Sequence, residues 1–190
     1  QLEAEQKKNR VFLVKETIRL GFTALGDHCF AVGDLPGALK QYTRCRDYST
    51  EAKHVTAMCF NIIKVAIEMD NWVLVQSYIS KVESSLESNA DEMIAAKAHC
   101  CSGLALMAHQ DFDRAARSFL NIKFDYAGEF PDLMTARDIG IYGGLTALAT
   151  FDRKTIKKLL IENTSFKEFL ELIPQVRELI KAFYASKYAQ

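Results

Sequence analysis

Apolar residues recur every three or four positions along almost the whole chain, and this spacing limits what the chain can fold into. One example is the series Val11, Val14, Ile18, Phe22 and Leu25, whereas convincing alternation with a period of two is missing. A helix repeats every 3.6 residues and a strand every two, so the pattern predicts an all-α fold. Three prolines and nine glycines in 190 residues are too few for the frequent turns of an all-β chain.

The periodic segments predict ten helices joined by short turns. We place them near residues 8–32, 35–48, 51–69, 72–87, 91–109, 112–121, 136–150, 153–162, 166–171 and 174–188. Residues 124–131 form the one clear long loop. Asn89 lies three residues before Glu92, and Ser165 three before Glu168, which is the spacing of a helix capping box.

A recurring frame indicates that the helices are paired. Its first copy contains Phe22, Leu25, Gly26, Cys29, Gly33, Asp34, Ala38, Tyr42 and Cys45. This order of large, small and aromatic residues follows the tetratricopeptide pattern. We expect the small Gly26 and Ala38 where two antiparallel helices approach closely, with Tyr42 filling the gap toward the next pair.

Weaker copies of the frame follow the first. The second has its turn at Asp70–Asn71, and the third has its turn at Gln110–Asp111. The predicted packing residues beyond the first copy are Gly103, Ala115, Phe119, Gly143 and Gly144. We therefore predict one domain, with repeats near 19–52, 56–88, 96–124 and 136–162 followed by terminal helices at 165–190. Stacked pairs of this kind form a right-handed superhelical solenoid.

Composition argues against several classes of partner. The 24 Lys and Arg residues balance 24 Asp and Glu residues, so the chain lacks the basic excess typical of nucleic-acid binding. Charges interrupt every apolar run, which argues against a membrane helix. Five cysteines, an odd number, follow a polar N-terminus without an apolar leader, and this favours a reduced, intracellular protein.

No residue constellation predicts catalysis. Cys100 and Cys101 are adjacent without the CxxC spacing of metal or redox sites, and the histidines fall outside known ligand spacings. The run from Gly140 to Gly144 resembles a phosphate loop, but it has no lysine and no preceding strand. We therefore expect no enzyme activity, no catalytic residue, no metal and no cofactor.

Two surfaces are candidates for contact with a partner. Arg153, Lys154, Lys157 and Lys158 form a basic cluster, which is either a solvated helix face or a patch for an acidic partner or a polyphosphate. Phe183, Tyr184 and Tyr188 belong to an apolar stripe on the terminal helix. We expect part of that stripe to await a partner and to cause weak self-association.

Longer strings resemble a known family. They are IYGGLTALATFDR at 141–153, SFKEFLELIP at 165–174, residues 176–180 and 183–188, and RDYSTEAKHV at 46–55. These strings resemble the helical-repeat half of the first-subunit family of the COP-nine signalosome, which is related to the corresponding subunit of the proteasome regulatory lid. The resemblance covers almost the whole chain from about residue 15.

The resemblance implies a non-catalytic scaffold subunit of the complex that removes a ubiquitin-like modifier from cullin-RING ubiquitin ligases, with the catalytic zinc in another subunit. Its implied partners are sister subunits and ligase components, in the cytoplasm and nucleus. The PCI winged-helix segment of the family is expected to be absent, because the chain stops at Gln190. The alternatives are the proteasome-lid counterpart and a stand-alone peptide-binding repeat protein.

Overall fold

A computed structural model describes the backbone of residues 2–86 and 91–187, and the side chains of residues 13–85 and 91–187. Within these ranges the α-helices are α1 (Leu2–Val32), α2 (Leu35–Arg44), α3 (Ala52–Glu68), α4 (Trp72–Leu86), α5 (Glu92–Ala108), α6 (Phe112–Leu120), α7 (Ala136–Thr150), α8 (Arg153–Ile156), α9 (Thr164–Glu171) and α10 (Pro174–Tyr184). The described residues contain no strand, and the predicted all-α fold is confirmed. None of their helices has the length and apolar character needed to cross a membrane.

The contacts group the chain into two compact units, residues 1–85 and 86–190. In the first unit α2 packs against both α1 and α3. In the second unit α6 packs against α5 and α7, and α7 also contacts α9 and α10. Packing of consecutive helices is thus as predicted inside each unit, while the single continuous domain stays a prediction.

The three predicted turns between paired helices share one geometry. Each contains a residue with left-handed backbone, namely Gly33 (φ 87°), Asp70 (φ 55°) and Gln110 (φ 63°). The residue after it, which is Asp34, Asn71 or Asp111, donates its backbone N–H to a carbonyl five residues earlier, at 2.9 Å in all three turns. These bonds satisfy carbonyls that the end of a helix leaves unpaired.

The same three residues begin the next helix. The Asp34 carboxylate accepts from the Gly37 N–H at 3.0 Å, and the side chains of Asn71 and Asp111 accept in the same way from residues 74 and 114, at 3.1 and 3.3 Å. Side-chain caps of this kind contribute about 1 kcal/mol each. One residue therefore ends one helix and starts the next, which keeps the turns short.

Glycines allow the paired helices to approach closely. A Cβ atom added at Gly26 would lie 2.5 Å from the ring of Tyr42, and one added at Gly103 would lie 2.5 Å from the ring of Phe119. Both rings are buried, as are the neighbouring alanines 38 and 115. The ring of each second helix thus rests directly on the backbone of the first.

Helix α7 carries a second set of close contacts. A Cβ atom at Gly143 would lie 3.0 Å from Phe166 and 3.1 Å from Phe119, and one at Gly144 would lie 2.7 Å from Val176. The neighbouring Gly140 is equally close to Ile173. These glycines face the side chains of α6, α9 and α10, so they serve helix packing and not a phosphate loop.

The prediction for Leu25 was wrong. Phe22 does pack inside the first pair, with its ring 5.8 Å from that of Tyr48, but Leu25 is 52% exposed. Consecutive helix positions differ by about 100° around the axis. Because α1 turns Gly26 toward α2, Leu25 lies on the outward side of the helix.

Several helix ends also differ from the predictions. The helix predicted to reach residue 48 ends at Arg44 and continues as a 3₁₀ turn, Cys45–Tyr48. The last helix ends at Tyr184, four residues early, because Ser186 has a left-handed φ of 57°. The predicted loop at 124–131 begins with a short 3₁₀ turn, Phe124–Tyr126.

One of the two predicted caps is replaced by a neighbour. Asn163, not Ser165, caps α9, and its side-chain oxygen accepts from the backbone N–H groups of Ser165 and Phe166 at 3.1 and 3.4 Å. Asp91 caps α5 by accepting from the N–H of residue 93 at 3.1 Å. The predicted cap Asn89 and the predicted contact residue Tyr188 lie outside the described residues.

A pair of glycine substitutions in α1 tests the close approach. Gly26→Ala places a methyl group against the Tyr42 ring, whereas no atom lies within 4 Å of a Cβ at Gly21. Both changes gain the same helix propensity, about 1 kcal/mol. We expect Gly26→Ala to be less stable than Gly21→Ala by about 1–3 kcal/mol from overpacking. Chemical denaturation followed by the fluorescence of Trp72 measures this difference, and equal stability of the two variants would contradict the packing described.

Candidate functional site

Four of the five cysteines are buried. All five are free thiols, and Cys100 and Cys101 are fully buried. Burial raises the pKa of Cys101 to about 12 and raises the pKa of Cys100 as well. A thiol must ionise to attack an electrophile or to bind a metal, and the described residues contain no group of three or more His, Cys, Asp or Glu side chains placed to hold an ion.

Several polar residues between α1, α2 and α3 are paired with one another. The Arg19 guanidinium donates to Glu16 at 2.5 and 2.9 Å, and this ion pair holds the pKa of Glu16 below its usual range. His54 of α3 approaches the same carboxylate at 3.7 Å. The Tyr42 hydroxyl donates to Asp27 at 2.6 Å. The adjacent cavity measures about 40 Å³, which is too small for a ligand much larger than water.

The outward face of α1 is a largely apolar, exposed surface of the first unit. It consists of Leu13, Val14, Thr17, Ile18, Leu20, Gly21, Ala24, Leu25, His28, Ala31 and Val32, all exposed or half-buried. This face contains no Lys, Arg, Asp or Glu, and its large side chains are 52–70% exposed at Leu13, Leu25 and Val32. The charged residues Lys15, Glu16, Arg19 and Asp27 lie outside this face by helix periodicity. Of these, Glu16, Arg19 and Asp27 bind other side chains.

The predicted basic cluster spans α8 and the π-helical turn after it, where Lys157 and Lys158 lie. Its four side chains are exposed. Arg153 donates to the Ser186 hydroxyl at 2.5 Å, and Lys157 pairs with Glu162 at 3.6 Å. Two members of the cluster are thus engaged inside the second unit, and its role as a partner surface stays a prediction.

The predicted apolar stripe on α10 is divided between the core and the surface. Val176 and Ile180 are buried, and Phe183 packs partly against the core of the second unit. Leu179 and Tyr184 are 49% and 39% exposed. The exposed part is therefore narrower than the sequence pattern indicates.

Sequence reasoning missed a groove between the end of α8, α9 and α10. The chain after Ile156 forms a π-helical turn, Lys157–Ile161, and the Glu162 N–H bonds the Lys157 carbonyl at 2.9 Å. The groove beside this turn has a volume of about 190 Å³ and is lined by Leu160, Ile161, Lys167, Leu170, Glu171, Arg177, Ile180 and Lys181. The basic residues that line the groove, Lys167, Arg177 and Lys181, were a possible sequence signal for it, but they lie far apart in the sequence.

The chain is similar in sequence to a family of known proteins. The family model of the 26S proteasome subunit RPN7 matches residues 1–159. The chain belongs to this family. It is 46% identical to the COP9 signalosome complex subunit 1b of Drosophila melanogaster and 44% identical to the COP9 signalosome complex subunit 1 of Arabidopsis thaliana. Both alignments cover 99% of the present chain. Subunit 1 of Emericella nidulans is 37% identical over 98% of the chain. Membership of the RPN7 family confirms the resemblance predicted from the sequence strings.

The chain spans only part of these relatives. It covers 37% of the Drosophila protein, 42% of the Arabidopsis protein and 38% of the Emericella protein. The matched part is the helical region described above.

Thiol labelling tests the structural role of the cysteines. Because burial raises the pKa of Cys101 to about 12, this thiol stays un-ionised at pH 8, and burial also blocks access to it. We expect the half-buried Cys29 to react first with a disulfide reagent, and Cys100 and Cys101 to react only after denaturation. Peptide mapping by mass spectrometry locates the labels, and prompt labelling of either buried thiol in the folded chain would contradict this assignment.

Proposed function

We propose that the chain is the helical arm of a signalosome first subunit and that it acts by binding other subunits. The curated relatives named above are COP9 signalosome complex subunits 1 or 1b. The observation that carries the proposal is the outward face of α1. An uncharged apolar helix face is unfavourable in water and is typical of a surface that another protein covers.

The occupant that fits this face is a helix of another signalosome subunit. Val14, Ile18, Leu25 and Val32 lie four or seven residues apart, which places them on one helix face, as in helix-to-helix contacts. Gly21 lies between them with no atom within 4 Å of an added Cβ. A partner helix can therefore approach the α1 backbone closely at this point.

The proposed role is non-catalytic. The side chains that could do chemistry are engaged in structure: the buried thiols have raised pKa values, and carboxylates such as Asp34 and Asp111 cap helices. Within the signalosome we assign removal of the ubiquitin-like modifier from cullins to another subunit. The arm then supports that reaction by holding sister subunits and cullin-RING ligase components in place.

The runner-up is the counterpart in the proteasome regulatory lid, because the family model is that of a proteasome subunit. Identities of 37–46% to signalosome first subunits across nearly the whole chain favour the signalosome. The five free thiols suit the reducing cytoplasm and nucleus, which is the location that we propose.

A charge on the outward face of α1 tests the proposed function. We expect Leu25→Lys to lower the recovery of signalosome subunits that co-purify with the co-expressed chain by about tenfold, because burial of a leucine contributes about 1.5–3 kcal/mol. Val73→Lys on α4 is the matched control, since Val73 is 76% exposed. Quantitative mass spectrometry of the purified material gives the readout.

Two results would decide against the proposal. Undiminished recovery with Leu25→Lys would exclude the α1 face as the contact, and recovery of proteasome lid subunits instead of signalosome subunits would favour the runner-up. Circular dichroism of both variants shows whether each retains its helices.

An activity assay tests the non-catalytic role. We expect the purified chain to leave a modified cullin intact and to contain no stoichiometric zinc, because the described residues offer neither an activated nucleophile nor a ligand cluster. Gel analysis of the conjugate and metal analysis of the protein provide the measurements. Cleavage by the chain alone would refute the assignment.

A further inference from the structure

The groove of the second unit has an apolar floor. Leu160 and Ile161 of the π-helical turn, Leu170 of α9 and Ile180 of α10 line it, and its volume is about 190 Å³. An apolar cavity of about 150 Å³ accommodates benzene. The groove therefore has room for one large aliphatic or aromatic side chain.

The rim of the groove is positively charged. It contains Lys167, Arg177 and Lys181 with a single acid, Glu171. Glu178 lies just outside and pairs with Lys181 at 3.1 Å. Three cations thus face two carboxylates, and the ammonium group of Lys167 makes no hydrogen bond or ion pair with any residue that the structure describes.

Arg177 provides a second indication of an anionic ligand. Its Nε atom is buried and donates to no acceptor among the described residues. The Glu178 carboxylate is 3.7 Å away, which is beyond hydrogen-bonding distance. A buried donor without an acceptor is unfavourable. Because the Arg177 side chain as a whole is 40% exposed, a carboxylate from another molecule can reach its guanidinium and form a charge-assisted bond.

We propose that this groove binds an acidic segment of a partner protein, with one large apolar side chain on the floor and an adjacent carboxylate at Arg177 and Lys167. Free phosphate would meet the cations but would leave the apolar floor exposed. The groove and the α1 face belong to different units, and the proposal does not depend on which complex the chain enters.

Synthetic peptides test the groove directly. The probe is fluorescein-labelled Glu-Asp-Glu-Phe-Glu-Asp-Glu, titrated with the 190-residue chain and followed by fluorescence anisotropy. One control peptide has serine in place of phenylalanine, and another has glutamine and asparagine in place of the acids. We expect saturable binding of the probe and at least about tenfold weaker binding of both controls, because each control removes one half of the recognition.

Variants locate the binding site. We expect Lys167→Glu to weaken probe binding about tenfold, whereas Lys40→Glu, the same charge change at an exposed position of α2, should alter it less than about twofold. Arg177→Met keeps the aliphatic part of the side chain but removes the donor, and it should also weaken binding. Thermal melts followed by circular dichroism establish that each variant is folded.

Four outcomes would overturn the proposal. They are equal binding of the serine peptide, an equal loss with Lys40→Glu, no saturation at about 1 mM chain, and, in place of probe binding, binding to phosphatidylserine vesicles that Lys167→Glu abolishes. Since only the isolated chain and peptides are used, failure here leaves the α1 contact unaffected. Failure of subunit co-purification likewise leaves the groove proposal intact.

Discussion

The packing of an aromatic ring against a helix backbone, at Gly26 and at Gly103, is the contact on which both units depend. In each case a buried aromatic ring, Tyr42 or Phe119, occupies the space that a side chain would fill. Each ring also makes a further contact. The Tyr42 hydroxyl binds Asp27 of α1, and Phe119 also lies against Gly143 of α7. The Phe119 ring thereby joins α5, α6 and α7 in the second unit, so a substitution at Gly103 would disturb the packing of all three helices.

The sequence predicted those features that depend on nearby residues. Helix positions and the turns at 33–34, 70–71 and 110–111 follow from apolar spacing and from capping chemistry within a few residues. The position of Leu25 could not be predicted in this way, because α1 is apolar on its outward side as well as toward α2. Asn163 and Ser165 are both good caps, and packing of Phe166 in the core decides between the helix starts.

The groove of the second unit, by contrast, is not encoded by neighbouring residues, since its lining comes from three separate segments of the sequence. The cluster at 153–158 was visible because its charges are neighbours in sequence. Lys167, Arg177 and Lys181 are brought together only by the packing of α9 and α10, and the π-helical turn that turns Leu160 inward has no sequence signature. Local patterns therefore reveal helices and turns, whereas surfaces assembled from several helices require the three-dimensional structure.

The shared residues of the turns also restrict how the length of the chain can change during evolution. Asp34, Asn71 and Asp111 each bond to the end of one helix and cap the start of the next, so these connections contain no spare residue. An insertion of one residue there would rotate the following helix by about 100° and turn its polar side toward the core. Length differences are tolerated far better in the irregular connection at 121–135, which ends at the Thr135 cap of α7. Insertions and deletions among family members should therefore accumulate in that connection and avoid the three turns.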